Sequence, residues 1–170
     1  NSLPDITGLI GMYAHGNEPC HHVAYLYNYA GKPWKTQSLV RKVANLFYTN
    51  TVAGLCGNDA CGQMSAWYVF TAMGFYPVDP SSGVYVIGSP LADEASIALD
   101  SRYYKGGRFT LVAQNNSPEN VYIQSATLNG KPYMHSWITQ EQIANGGTLT
   151  LKMGPQPNLK WGADKADRPE

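Results

Sequence analysis

The run Gly62-Gln63-Met64-Ser65-Ala66-Trp67-Tyr68-Val69-Phe70-Thr71-Ala72-Met73-Gly74-Phe75-Tyr76-Pro77 is where the chain changes its period. Between its two outer glycines it reads as a helix. Met64, Trp67, Tyr68, Phe70, Thr71 and Ala72 fall on nearly all sides of a 3.6-residue repeat, the pattern of a helix buried between others. After Tyr76-Pro77 the period becomes two. Residues 84–87, 95–99, 109–112, 121–123 and 149–151 are strand candidates. Asn129-Gly130 predicts a type I′ hairpin with positive φ at both positions. Thr139 and Gln142 carry the spacing of a capping box that opens one short helical turn.

Upstream of the run, three more segments read as helical. Ile6, Leu9, Ile10 and Tyr13 recur at helical spacing until His15-Gly16. Cys20 to Ala30 follows, with Val23, Leu26, Tyr27 and Ala30 on one face; Gly31 closes it and Pro33 forbids continuation. Thr36 to Tyr48 carries Leu39, Val40, Val43, Leu46 and Phe47 as a stripe, with Lys35, Arg41 and Lys42 expected in solvent. Residues 1–77 therefore read as helices, and 78–170 as an antiparallel sheet of about five to seven strands. That order gives an α+β class. Four helices with mixed loops rarely close a core alone, so the helical part reads as an incomplete piece of a larger helical array.

Composition narrows the function. Lys plus Arg equal Asp plus Glu at 12 each, so the basic excess of a nucleic-acid binder is absent. No apolar run approaches the roughly 18 residues of a membrane span. Charged residues are 14% of the 170, and 12 of the aromatics are Tyr, a leaning that suits stacking on flat polar ligands such as sugars. The chain opens on Asn1 without a signal peptide, as expected of a processed product or a piece of something longer.

Two polar clusters stand at helix starts. In His15-Gly16-Asn17-Glu18-Pro19-Cys20-His21-His22, three of the four His fall beside one acid. Glu18 either caps the helix or lines a site, since the helix dipole favours a carboxylate there. In Gly54-Leu55-Cys56-Gly57-Asn58-Asp59-Ala60-Cys61-Gly62-Gln63, Asn58 and Asp59 either cap the next helix or present a carboxylate in a glycine-lined cleft. An ionised carboxylate there could act as a general base or metal ligand. The three Cys permit a rival, a structural zinc module built on Cys56, Cys61, Cys20 and His21 or His22.

These strings resemble glycoside hydrolase family 92. The resemblance rests on residues 15–19, His21-His22, 25–31, 33–37, Gly57-Asn58-Asp59, 62–68, 74–77 and 85–90, and so runs over most of the chain. It implies a calcium-dependent, inverting exo-α-mannosidase of bacteria that degrade N-glycans, periplasmic or extracellular. The implied fold is an N-terminal β-sandwich, an (α/α)6 barrel and closing strands. This chain is similar to the last helices of that barrel (1–77) followed by the mostly antiparallel β segment (78–170). The family's general acid is a Glu upstream of these residues, so the chain alone is expected to be inactive, with the rest of the enzyme as its partner.

The resemblance places the catalytic base region at Gly57 to Gly62, with Asp59 as its acid. The family pattern has a second acid where this sequence has Ala60. His15, Asn17, Glu18, His21, His22 and Asn58 are implied as sugar-binding residues, with Glu18 also a calcium ligand. A non-catalytic carbohydrate-binding fragment is the other reading carried forward.

Overall fold

The structure is a computed structural model that describes residues 6–170. Its first element is a small hairpin of β1 (Leu9–Ile10) and β2 (Tyr13–Ala14), not the helix expected over 6–13. Gly8 and Gly11 both take positive φ, at 61° and 58°, which turns the chain back twice where a helix would need it to run on.

The segment expected as a helix over 20–30 is a succession of tight turns. Two 3₁₀ turns, Glu18–Cys20 and Val23–Tyr25, are closed by bonds such as His21 N–H to Glu18 C=O at 3.0 Å and Leu26 N–H to Val23 C=O at 3.2 Å. Two buried side chains pin this segment to distant chain. The Tyr25 hydroxyl lies 2.8 Å from that of Thr71, and the Asn28 amide donates to the carbonyls of Ile87 and Ser136. Apolar spacing near 3.6 suits both windings; these anchors decide between them.

α1 (Pro33–Phe47) starts three residues earlier than expected, because Pro33 sits in the first turn, where a missing N–H costs nothing. Of the expected stripe Val40 and Val43 are buried and Leu39 and Phe47 half-buried, but Leu46 is exposed; Ala44, outside the stripe, is buried beside Val43. Arg41 is buried rather than solvated. Its guanidinium donates to Ser89 Oγ at 3.0 Å, to the Ser117 carbonyl at 3.3 Å, and to Pro90 C=O and Asn116 Oδ1. Gln37 from the same helix accepts the N–H of Ile123 at 3.0 Å. α1 is thus bonded sideways to the sheet.

α2 (Gln63–Met73) runs between Gly62 and Gly74, both left-handed, close to the expected bounds. Met64, Trp67 and Thr71 are buried, while Val69 is 55% exposed. Among the described residues the helix is covered on one side only, not all round.

The β part forms two sheets rather than one. β3 (Phe75–Tyr76) pairs with β4 (Val84–Ile87), which pairs with β9 (Trp137–Thr139). The larger sheet has the order β5 (Glu94–Ala98), β6 (Arg108–Gln114), β10 (Gly147–Gly154), β7 (Tyr122–Leu128), β8 (Lys131–Pro132). It is antiparallel except that β10 lies parallel to β6, with Leu149 opposite Leu111. The turn between β7 and β8 has φ of 51° at Asn129 and 78° at Gly130, as the hairpin signal requires. α3 (Gln140–Ala144) opens on the expected capping box, Thr139 Oγ1 accepting the Gln142 N–H at 3.1 Å.

Two cores result. Phe75, Ile87, Phe109, Leu111, Ile123, Leu149 and Trp161 form the one between sheets and helix, and Tyr25, Val40, Val43, Trp67 and Val86 the helical one. Consecutive residues of β4 serve different cores, because strand side chains alternate faces. β4 is therefore the plate through which the helical layer rests on the sheets.

Candidate active site

The two polar clusters meet. A Cβ placed on Gly57 would lie 3.0 Å from Gly16 Cα and 3.2 Å from its carbonyl oxygen, so backbone packs on backbone there. Thr7 is wedged into the same junction, its side chain filling the space a Gly16 Cβ would need. Thr7 Oγ1 is buried there without a hydrogen-bond partner among the described residues.

Beneath the junction runs a hydrogen-bonded chain whose proton positions can be worked out. The Tyr48 hydroxyl donates to the Met64 carbonyl at 3.0 Å and lies 2.6 Å from His15 Nε2. Having spent its proton, Tyr48 must accept from His15, so His15 carries its proton on Nε2. Its Nδ1 then accepts from the Tyr13 hydroxyl at 2.7 Å. His21 is fixed in the same way. Its Nε2 faces the His15 carbonyl at 2.9 Å and must donate, while Nδ1 accepts from the Gln63 amide at 3.0 Å. The Gln63 amide also donates to Tyr76 at 3.0 Å. Both imidazoles are buried, stacked with centroids 4.5 Å apart, and packed on Trp67, whose indole N–H donates to the His21 carbonyl.

Burial and the neighbouring His21 hold the His15 pKa down to about 3; burial also lowers that of His21. Both rings are neutral, and all four ring nitrogens are committed. His15 and His21 therefore present no ring nitrogen to a ligand. They hold Tyr13, Tyr48 and Gln63 in place.

Asp59 is exposed and precedes a 3₁₀ turn, Ala60–Gly62, that leads into α2. Its Oδ1 accepts the Ser65 N–H at 3.0 Å and its Oδ2 the Ser65 hydroxyl at 2.6 Å. The two Ser65 bonds hold its pKa below the ordinary carboxylate value. Asp59 thus caps the first turn of α2 from outside, which is the capping role the sequence allows. Each carboxylate oxygen keeps a lone pair free of Ser65.

The other residues singled out lie on the same two loops. Glu18 opens its 3₁₀ turn, half-buried, close enough to His21 to act on its charge. Asn17 directs its amide to the Cys20 sulfur at 3.6 Å. His22 is half-buried just before the second 3₁₀ turn, and Asn58 is exposed beside Asp59. Tyr13, Tyr48, Gln63 and Ser65 were not singled out in the sequence. Gln63 and Ser65 had a signal, since they occupy the first and third positions of α2 directly after the Asn58-Asp59 cluster. Tyr13 and Tyr48 had none beyond helical spacing.

The zinc module does not form. Cys20, Cys56 and Cys61 are free thiols, Cys61 exposed, and both nitrogens of His21 are engaged elsewhere. Among the described residues no three His, Cys, Asp or Glu converge on a metal position.

The sequence profile of the glycosyl hydrolase family 92 catalytic domain matches residues 1–155. The chain belongs to glycosyl hydrolase family 92. A family 92 α-mannosidase of Bacteroides thetaiotaomicron, solved with mannoimidazole bound, is 47% identical and superposes with a TM-score of 0.91, over 98% of this chain and 21% of its own. An inverting family 92 mannosidase of the same bacterium is 43% identical, with a TM-score of 0.86 over 94% of this chain and 21% of its own. A secreted glycosidase of the fungus Arthroderma benhamiae, itself uncharacterized, is 38% identical over 157 residues, 91% of this chain and 20% of its own length. The chain spans about a fifth of these family 92 relatives. No described helix is long and apolar enough to cross a membrane.

Proposed function

We propose that this chain is the part of a secreted or periplasmic bacterial exo-α-mannosidase, inverting and calcium-dependent, that carries the base-side loop of the active site. Its substrates are terminal α-mannosides of glycans, N-glycans among them. The single observation that carries this reading is the backbone contact of Gly16 with Gly57. It brings Asn17-Glu18 and Asn58-Asp59 to one junction, in a chain 43% identical to an inverting mannosidase. Residues 1–77 would supply the last helices of the catalytic barrel and 78–170 its closing β segment. The rest of the polypeptide would supply the general acid.

Inversion needs two carboxyl groups roughly 6.5–9.5 Å apart, one protonating the glycosidic oxygen and one activating water on the opposite face. On this chain Asp59 is the carboxylate that orients the water, through the lone pairs that Ser65 leaves free. Its lowered pKa keeps it ionised and also makes it a weak base. The neighbouring position, occupied by a carboxylate in the family pattern, is Ala60, whose methyl group takes no proton.

The donors at the junction fit a hard cation in kind. Asn17, Glu18 and Asn58 offer oxygens, and Thr7 Oγ1 is buried there unpartnered among the described residues. Glu18 and Asn17 would hold calcium from this side, together with oxygens from elsewhere in the enzyme or from the sugar. When bound, calcium supplies a positive charge that holds sugar hydroxyls and favours ring distortion.

Ala60 and the clamped Asp59 also favour a second reading, a member of the family that binds glycan without efficient turnover. Steady-state kinetics of the longer polypeptide on an aryl α-mannoside separate the two. The mannosidase reading expects β-mannose as the first-formed anomer and a kcat that rises about 10²–10⁴-fold in Ala60→Asp with little change in KM. Glycan binding with no turnover in either form supports the second reading. First-formed α-mannose sinks the inverting mechanism.

A further inference from the structure

Ser65, which bonds Asp59, also lines an open pocket of about 420 Å³. Tyr48, Tyr68, Thr49, Asn50, Thr51 and Ser65 supply its walls. Tyr48 and Tyr68 pack with ring centroids 4.8 Å apart and planes tilted by 31°. The Tyr48 hydroxyl is already spent on Met64 and His15, and its ring packs on Trp67 and Tyr68, so Tyr48 serves to hold Tyr68 in place. No hydrogen bond is formed by the Tyr68 hydroxyl or the Asn50 side chain among the described residues, and Asn50 and Thr51 are exposed.

The pocket is preformed. Its loop is closed by Thr49 N–H to Gly54 C=O at 2.9 Å and by the bridge of Tyr48 with Leu55. Gly54 leaves no room for a side chain, because a Cβ would meet the Thr49 and Thr51 carbonyls. None of the lining residues is charged. The Thr49 and Thr51 hydroxyls bond each other at 2.9 Å and that of Ser65 is spent on Asp59, so the groups left for a ligand are the Tyr68 ring and hydroxyl and the Asn50 amide, beside apolar Val52 and Leu55. An uncharged pocket with an aromatic residue, a phenol and one amide matches a neutral polyol ring rather than an anion.

We propose that this pocket binds a neutral pyranose, anchoring a sugar unit of the glycan other than the one cleaved. The proposal rests on the reading of the chain as part of a glycosidase. Ser65 both lines the pocket and bonds Asp59, so the pocket adjoins the loop that carries the candidate base. The sugar held here is a unit beside the one attacked at the Asp59 loop.

The test is titration of the isotopically labelled chain with methyl α-mannopyranoside and with a branched mannotriose, followed by NMR. The expected result is saturable shifts of residues 48–55, Ser65 and Tyr68, tighter for the mannotriose. Tyr68→Leu should raise the dissociation constant about tenfold. Asn50→Ala, at an exposed position, should raise it several-fold even if Tyr68→Leu disturbs packing. Shifts confined to residues 15–22 and 57–63 would overturn the pocket while supporting the mannosidase reading. No shift with either sugar would also overturn it, whereas that reading is judged separately by the kinetics of the longer polypeptide.

Discussion

Ser65 holds both oxygens of Asp59, one with its backbone N–H and one with its hydroxyl. The pair ties the start of α2 to the loop that carries the candidate chemistry, so the carboxylate's basicity and the helix's first turn are set by the same residue. Ser65→Ala should move the Asp59 carboxyl titration up toward its ordinary 3.8, since the side-chain bond is the main cause of its depression. A carbon-detected NMR titration reads this directly. An unchanged midpoint would mean that the hydroxyl bond is not made in solution.

His15 gives a prediction about acid. Its folded pKa is about 3 and its ordinary value 6.5, so between those values the unfolded chain binds a proton that the folded chain refuses. Stability from this group is complete above pH 6.5 and falls as pH drops toward 3, by on the order of 4 kcal/mol. His21 shifts in the same direction and adds to the loss. Urea midpoints should therefore decline steadily between pH 7 and pH 4, while the His15 ring stays neutral by NMR throughout. A His15 titration near 6.5 in the folded chain would contradict the buried tautomer.

Gly57→Ala should separate the two loops. Its Cβ would press on backbone atoms of Gly16, which cannot rotate away as a side chain could. We expect a loss of about 1–3 kcal/mol, with the largest amide shifts at residues 15–18 and 57–60. Gly57 is not among the glycines at positive φ, so the loss reports crowding rather than backbone strain. A loss below about 0.5 kcal/mol in Gly57→Ala would remove the argument for close contact.

Arg41 is the most exacting of the buried polar groups. Arg41→Met keeps much of the volume but leaves Ser89, Asn116 and two carbonyls without their donor. It should cost about 2–4 kcal/mol in chemical denaturation. Arg41→Lys should recover only part of that, because one ammonium cannot reach acceptors spread around a planar fork. A cost below about 0.5 kcal/mol for Arg41→Met would show these bonds to be replaced by water.

Features governed by local chemistry were legible in the sequence. The Asn129-Gly130 turn, the Thr139–Gln142 capping box and the glycine-bounded α2 depend on neighbours a few residues away, and all three form as read. What depended on distant partners was not legible. Residues 20–30 have helical spacing, yet the bonds of Tyr25 to Thr71 and of Asn28 to Ile87 wind them more tightly. Arg41 resembled a solvent residue because its acceptors lie 48 to 76 positions away. Site residues followed the same division. His15 and His21 stood out by type, but that they are neutral and fully bonded depends on Tyr48, Gln63 and Met64 from other segments.

The position of β10 has a consequence for the order of assembly. It lies between β6 and β7, so hairpins β5–β6 and β7–β8 have no shared neighbour until residues 147–154 have been made. Until then each presents an unpaired edge with Leu111 or Ile123 uncovered, a state prone to joining other chains. Synthesis on the ribosome therefore leaves this sheet in two halves almost to the end of the segment, and a chain stopped before Gly147 has lost its keystone rather than a terminal ornament.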